Sequence, residues 1–131
     1  MPHVIVIGDG PGGLSAALFL AKNKRRVVVI GEDKTAMHWA LLKNYLGIPE
    51  QTGADFQRVA REQVAAVGGV IKAAQVEAVE KDAGGWRAKL EGGETIVAKY
   101  LILSEGKIPR IAKKIGLSFD ESTGIATDRN A

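Results

Sequence analysis

The chain has 131 residues, of which 46% are hydrophobic and 25% charged, with a formal net charge of +3, and this predicts one ordinary globular core. No apolar run approaches the roughly 20 residues that a membrane span needs, and the opening "MPHVIVIG" lacks the charged region and cleavage site of a signal peptide, so a cytoplasmic protein with no membrane association is expected. The absence of cysteine excludes disulfides, thiolate metal sites and a Cys nucleophile within these residues, and two separated histidines, His3 and His38, do not make a zinc site.

Residues 4–7 and 27–30 are runs of four apolar, mostly β-branched residues. Continuous rather than alternating hydrophobicity predicts strands covered on both faces, as in a parallel sheet. Between them Leu14, Ala17, Leu18 and Ala21 recur at helical spacing, and Asn23 stands where that helix should stop. The basic run "KNKRR" at residues 22–26 reads as a solvated helix end whose cations complement the dipole. A second basic cluster, Lys107, Arg110, Lys113 and Lys114, has no interleaved aromatic residues to stack on bases, so no nucleic-acid partner is expected.

"MHWALLKNYLGIPEQTG" predicts a short helical piece followed by a loop. A helix follows, with Phe56, Val59, Ala60, Val64 and Val67 expected on its inner face, Thr52 as N-cap, and Gly68-Gly69 as its end. Residues 70–73 predict a third strand of the parallel set. "QVEAVEK", "WRAKL" and "TIVAKY" then alternate with "DAGG" and "EGGE", which predicts a three-stranded antiparallel meander within residues 75–98. "YLILSEG", residues 100–106, is expected to return as a buried strand.

Between the first strand and helix stand Gly8, Gly10, Pro11, Gly12 and Gly13, and Gly8, Gly10 and Gly13 satisfy G-x-G-x-x-G. In that context the first glycine makes a tight turn, the second lets backbone approach a pyrophosphate, and the third lets helix and strand pack closely. Unpaired amides at the helix start would hold the phosphates. Pro11 is tolerated because a first-turn residue has no N–H to lose. Glu32, nineteen residues beyond Gly13, stands with Asp33 where a carboxylate accepts ribose hydroxyls. The fold class expected is α/β: a Rossmann-like FAD/NAD(P)-binding domain with a parallel sheet and an antiparallel β-meander.

At this point the sequence resembles a family. "HVIVIGDGPGGLSAALFLAKNKRRVVVIG" is similar to the FAD domain of thioredoxin reductase-like flavoproteins, of the FAD-dependent pyridine nucleotide-disulfide oxidoreductases. "KNYLGIPEQTGADF" resembles the family's Asn-aromatic-x-Gly loop and Thr-Gly helix start, and "LILSEG" stands where the family has a strand ending in Ala-Thr-Gly. The resemblance implies FAD as cofactor and NAD(P)H as a transient electron donor. It places Gly8, Gly10, Pro11, Gly12 and Gly13 at the pyrophosphate, and Glu32 and Asp33 at the adenosine ribose. Asn44 would lie on the flavin side, the Val76 backbone at the adenine, and Gly106 in the Thr-Gly turn. The family's usual acid after the second strand falls on Gly31, and Glu105 replaces the threonine of the turn, so Glu105 is expected to point to solvent.

The family's redox-active cysteine pair is absent from these residues, and only 17 residues separate Gly106 from Gly124, too few for an inserted NADPH domain. "GIATDRNA" resembles the segment leading to the family's last FAD-binding strand. The whole chain, 1–131, is therefore expected to be one dinucleotide-binding domain that is short at its C-terminus by roughly 50 residues. Either it associates with itself or a partner chain to cover an exposed strand edge, or it is a fragment of a chain extending past Ala131. The function expected is a flavoprotein oxidoreductase without catalytic cysteines. The alternative is a non-catalytic dinucleotide-binding or sensing module that works with a partner. A nicotinamide-binding protein is supported by the glycines and opposed by the meander. His38 is the one candidate proton donor near the expected flavin end.

Overall fold

A computed structural model describes residues 2–127. Four strands, β1 (Val4–Ile7), β2 (Val27–Gly31), β5 (Val70–Ala73) and β9 (Tyr100–Leu103), form a wholly parallel sheet in the order β5-β2-β1-β9. The central strands β1 and β2 are buried along their lengths, as unbroken β-branched runs require.

One face of the sheet carries two helices, α1 (Pro11–Lys22) and α2 (Gly53–Ala66). The buried residues of α1 include Gly13, Ala17 and Ala21, four apart, so a stripe of small side chains brings the helix axis close to the strands. Asn23 ends the helix, its Nδ2 donating to the Phe19 carbonyl at 2.8 Å, and the cations at residues 22–26 are solvent-exposed as expected. Thr52 caps α2, its hydroxyl accepting from the Asp55 amide at 3.2 Å. Gly68, at φ 93°, and Gly69 close the helix end.

The other face carries the meander: β6 (Val76–Asp82), β7 (Gly85–Leu90) and β8 (Thr95–Ala98), antiparallel throughout. Val76, Val79, Ala88, Leu90 and Ala98 pack with Ile5, Ile7, Val28 and Ile30 of the parallel sheet and with Ile111 of the short helix α3 (Arg110–Lys114). The fold is thus Rossmann-like, with helices, parallel sheet and meander as successive layers.

Four details depart from the sequence reading. β9 is a half-exposed strand at the end of the sheet rather than a buried one, because among the described residues it pairs only with β1 and its first residue, Tyr100, is 52% exposed. The inner face of α2 carries Ala60, Val64 and Val67 as expected, but Gln57 is buried on it and Val59 is exposed. The loop after the 3-10 turn Ala36–Trp39 is closed by a two-residue ladder between β3 (Leu41–Leu42) and β4 (Gln51–Thr52). Glu105 does not point to solvent; its two carboxylate oxygens accept from the Ile111 and Ala112 amides, at 2.8 and 3.1 Å. The first turn of α3 has orphan amides, and a carboxylate there is favoured by them and by the helix dipole.

Residues 118–127 make a tight turn in which the Asp120 carboxylate accepts from the Ser122 hydroxyl and amide and from the Thr123 amide. These bonds hold its carboxyl below the usual carboxylate range. The last four residues of "GIATDRNA", and the strand expected after it, lie outside the described residues. No described helix is long and apolar enough to cross a membrane.

Candidate functional site

The strand order reverses at β1, so the carboxyl ends of β1, β2 and β9 frame a crevice where open α/β sheets bind ligands. A cleft of about 290 Å³ opens there, lined by Gly8, Gly31, Glu32, Val76, Glu105 and Arg110 among others. It therefore gathers Gly8, Glu32 and Val76 from three separate stretches of sequence. A larger apolar cavity of about 710 Å³ lies beside it between the meander, β9 and residues 109–126, and Gly106 lines that cavity instead. The cleft is the more informative of the two, because the polar groups converge on it.

The glycines of the motif divide into two kinds. Gly8 sits at φ 111°, and a Cβ on it would run into the Ser104 carbonyl, with the carbonyl carbon at 2.6 Å. A Cβ on Gly13 would overlap the Gly8 carbonyl, whose carbon lies at 3.0 Å. Both are packing glycines, demanded by the chain's own backbone. A Cβ on Gly12 would meet only the Ser104 hydroxyl at 2.9 Å, and one on Gly10 only the Thr35 side chain, nearest at 3.1 Å. Gly10 has no backbone neighbour to explain its bareness.

The start of α1 is also bare. Gly10 is the N-cap and supplies no side-chain hydrogen bond, and the first turn holds no acidic residue. The amides of Gly12 and Gly13 belong to the first turn and have no intrahelical acceptor, while Leu14 N bonds the Gly10 carbonyl at 3.0 Å. The arrangement is an uncapped helix N-terminus just beyond the carboxyl end of β1, with Gly12 beside Ser104 and Gly10 beside Thr35, and it is suited chemically to a phosphate or another anion; of the motif glycines only Gly8 lines the cleft itself.

Beneath the turn lies a group of residues that the sequence reading did not single out. Asp9, between the first two glycines, is 6% exposed. Its Oδ2 accepts from the Asp33 amide at 2.9 Å and from Arg61 Nη1 at 3.1 Å. Its carbonyl accepts from Gln57 Nε2 at 3.0 Å, and the Gln57 Oε1 has no hydrogen-bond partner among the described residues. Gln57 and Arg61 stand four apart on α2, one turn before Val64, so the i, i+4 spacing was a readable signal for a polar inner face. A charged residue within a run of glycines was the other signal.

Asp33, at φ 57°, is held by its amide bond to Asp9 and by His38 Nε2 at 2.9 Å from its Oδ1. His38 and Asp33, assigned to opposite ends of the cofactor by sequence, are thus neighbours. Glu32 pairs with Lys34 at 3.4 Å on the surface. The Val76 carbonyl accepts from the Arg110 guanidinium, which reaches across the mouth of the cleft from α3. Asn44 lies outside the cleft lining, on the exposed β3-β4 hairpin with Leu46, which is 98% exposed; Trp39, in the preceding 3-10 turn, is 91% exposed. No group of described residues forms a metal-ligand cluster.

Residues 2–66 match the family described as pyridine nucleotide-disulphide oxidoreductase. An indole-3-pyruvate monooxygenase, YUCCA1, of Oryza sativa subsp. japonica is 30% identical over 82% of this chain and 32% of its own length. A thioredoxin reductase from Gloeobacter violaceus superposes with a TM-score of 0.75 at 26% identity, over 91% of this chain and 43% of that one. The atypical thioredoxin reductase TRi from Desulfovibrio vulgaris Hildenborough does so with a TM-score of 0.75 at 28% identity, over 93% and 44%. The chain spans about a third of the monooxygenase and less than half of either reductase.

Proposed function

From the match of residues 2–66 to the pyridine nucleotide-disulphide oxidoreductase family and the likeness to thioredoxin reductases, we infer that the chain is a dinucleotide-binding domain of that family that holds FAD and serves a flavoprotein oxidoreductase. The observation that carries this reading is the uncapped N-terminus of α1 beside Gly10, a cradle that a Cβ would fill and that no backbone neighbour accounts for. The amides of Gly12 and Gly13 would receive the pyrophosphate, and Pro11 fixes the backbone between them and Gly10 without adding a competing donor. Glu32, lining the cleft at the end of β2, would accept the adenosine ribose hydroxyls, with Asp33 behind it. The Val76 backbone would border the adenine, with Arg110 latched to its carbonyl; Asn44 and Gly106 would lie towards the flavin.

FAD, when bound, supplies the redox chemistry, accepting a hydride equivalent from a nicotinamide donor and passing electrons on. The chain's own residues bind and orient it. His38 is hydrogen-bonded to Asp33 on the ribose side, so proton transfer at the flavin is not assigned to it. The 131 residues contain no cysteine, so electrons would leave without a thiol relay within this segment. The same lack of a thiol favours a second reading, a non-catalytic FAD-binding module acting through a partner. The edge of β9, unpaired among the described residues, and the exposed Trp39 and Leu46 are surfaces on which self-association or a partner chain would be built.

Turnover decides between the two readings. NADH or NADPH should reduce the FAD-loaded protein and a generic electron acceptor should reoxidise it, at a turnover rate that thiol-alkylating reagents leave unchanged. FAD binding without turnover favours the module. Inhibition at low stoichiometry would show that a thiol on another chain carries the electrons.

A further inference from the structure

A carboxylate in the glycine turn, one residue before the Gly10 N-cap of the helix whose amides would receive a pyrophosphate, is an electrostatic contradiction. Asp9 is nine-tenths buried there, where little water screens it. Like charges about 6 Å apart in a medium of effective dielectric about 20 weaken binding by up to about 100-fold. The structure resolves the contradiction from α2. Arg61 Nη1 lies 3.1 Å from Asp9 Oδ2 and 3.7 Å from Asp33 Oδ1, so one guanidinium faces both carboxylates. Among the described residues it is the one cation in ion-pair contact with Asp9. Gln57, one turn earlier, fixes the Asp9 carbonyl, so the same helix face holds both the backbone and the charge of the turn.

Gly31 shows that the carboxylate has a built seat. A Cβ at residue 31 would stand 2.6 and 2.7 Å from the two Asp9 oxygens, so the side chain of Asp9 occupies the space that any larger residue at the end of β2 would need. The Asp9 carboxylate is therefore locked by three elements: the glycine turn, the β2 end through Gly31 and the Asp33 amide, and α2 through Arg61.

We propose that Arg61 is a positioning residue for the anion site: it neutralises Asp9 and turns its carboxylate toward α2, so that the glycine turn accepts a pyrophosphate despite carrying a negative charge. The proposal rests on the dinucleotide-binding reading above. It differs from a purely structural role of the Asp9–Arg61 pair in one respect. Loss of the Arg61 charge should weaken ligands that carry phosphate and spare those that do not.

The test is a double-mutant cycle on the full chain, with ADP as the charged probe, adenosine as the uncharged one, and thermal unfolding without ligand recorded alongside. Arg61→Gln should weaken ADP by about 10-fold or more, leave adenosine within about twofold of wild type, and regain most of the ADP affinity when combined with Asp9→Asn. Arg61→Lys should retain ADP binding better than Arg61→Gln. Should Arg61→Gln fail to fold, Asp9→Asn alone decides: it should bind ADP at least as tightly as wild type, and a loss overturns the proposal. Equal losses for ADP and adenosine, or wild-type ADP affinity in Arg61→Gln, overturn the proposal alone. A wild-type chain that binds neither ADP nor FAD overturns the dinucleotide reading and the proposal with it.

Discussion

Gly10→Val is expected to lower FAD affinity by about 100-fold or more while the protein still folds. A side chain at residue 10 enters the space in front of the α1 amides, which are otherwise open. Excluding the phosphates forfeits at least two charge-assisted hydrogen bonds of about 1.5 kcal/mol each, or about 100-fold in affinity. The fold should tolerate the change because the one neighbour, Thr35, meets it with a side chain at 3.1 Å. Thr35 Oγ1 accepts from the Met37 amide at 3.2 Å, and losing that cap costs about 1 kcal/mol. A melting temperature lowered by no more than about 5 °C, with FAD titration showing the lost affinity, is the expected pair of results. Unchanged FAD affinity would mean that Gly10 is bare for some other reason.

Gly13→Ala, three residues on, should do the opposite. Its Cβ overlaps the Gly8 carbonyl and meets Val6 Cγ1 at 3.3 Å, so backbone, not a mobile side chain, stands in the way. Helix α1 would have to lift from β1, and the closely packed stripe Gly13, Ala17 and Ala21 would separate from the sheet. Overpacking against backbone at this position is expected to cost about 3 kcal/mol or more. Denaturant unfolding should report that loss directly. A Gly13→Ala protein of wild-type stability would show that the helix seats on the strand less tightly than the structure has it. The two substitutions therefore separate what one motif combines: Gly10 serves a ligand, and Gly13 serves the fold.

Local patterns were enough to read the parallel strands and the meander. β1 and β2 are unbroken β-branched runs that end at Gly8 and Gly31, and in β7 Ala88 and Leu90, both buried, alternate with the exposed Arg87 and Lys89. The glycine motif was legible because its spacing encodes a mechanism. What the sequence hid depends on tertiary partners. The exposure of β9 follows from its place beside β1 at the end of the described sheet, a fact of topology that "YLIL" does not carry. Gln57 is fully buried because Asp9 offers it a carbonyl, so a hydropathy pattern on α2 favoured Val59 in its place. Glu105 was judged by the absent ligand and not by α3, whose orphan amides claim it. The Asp9–Arg61 pair joins residues 52 apart, beyond the reach of any local motif.

The account rests most heavily on the glycine turn as the seat of a pyrophosphate. Calorimetric titration of the purified chain with FAD, repeated in the presence of ADP, tests that directly. The account predicts saturable binding at one FAD per chain, displaced by ADP because both present a pyrophosphate to the start of α1. No saturable binding, or FAD binding that ADP leaves untouched, would contradict it.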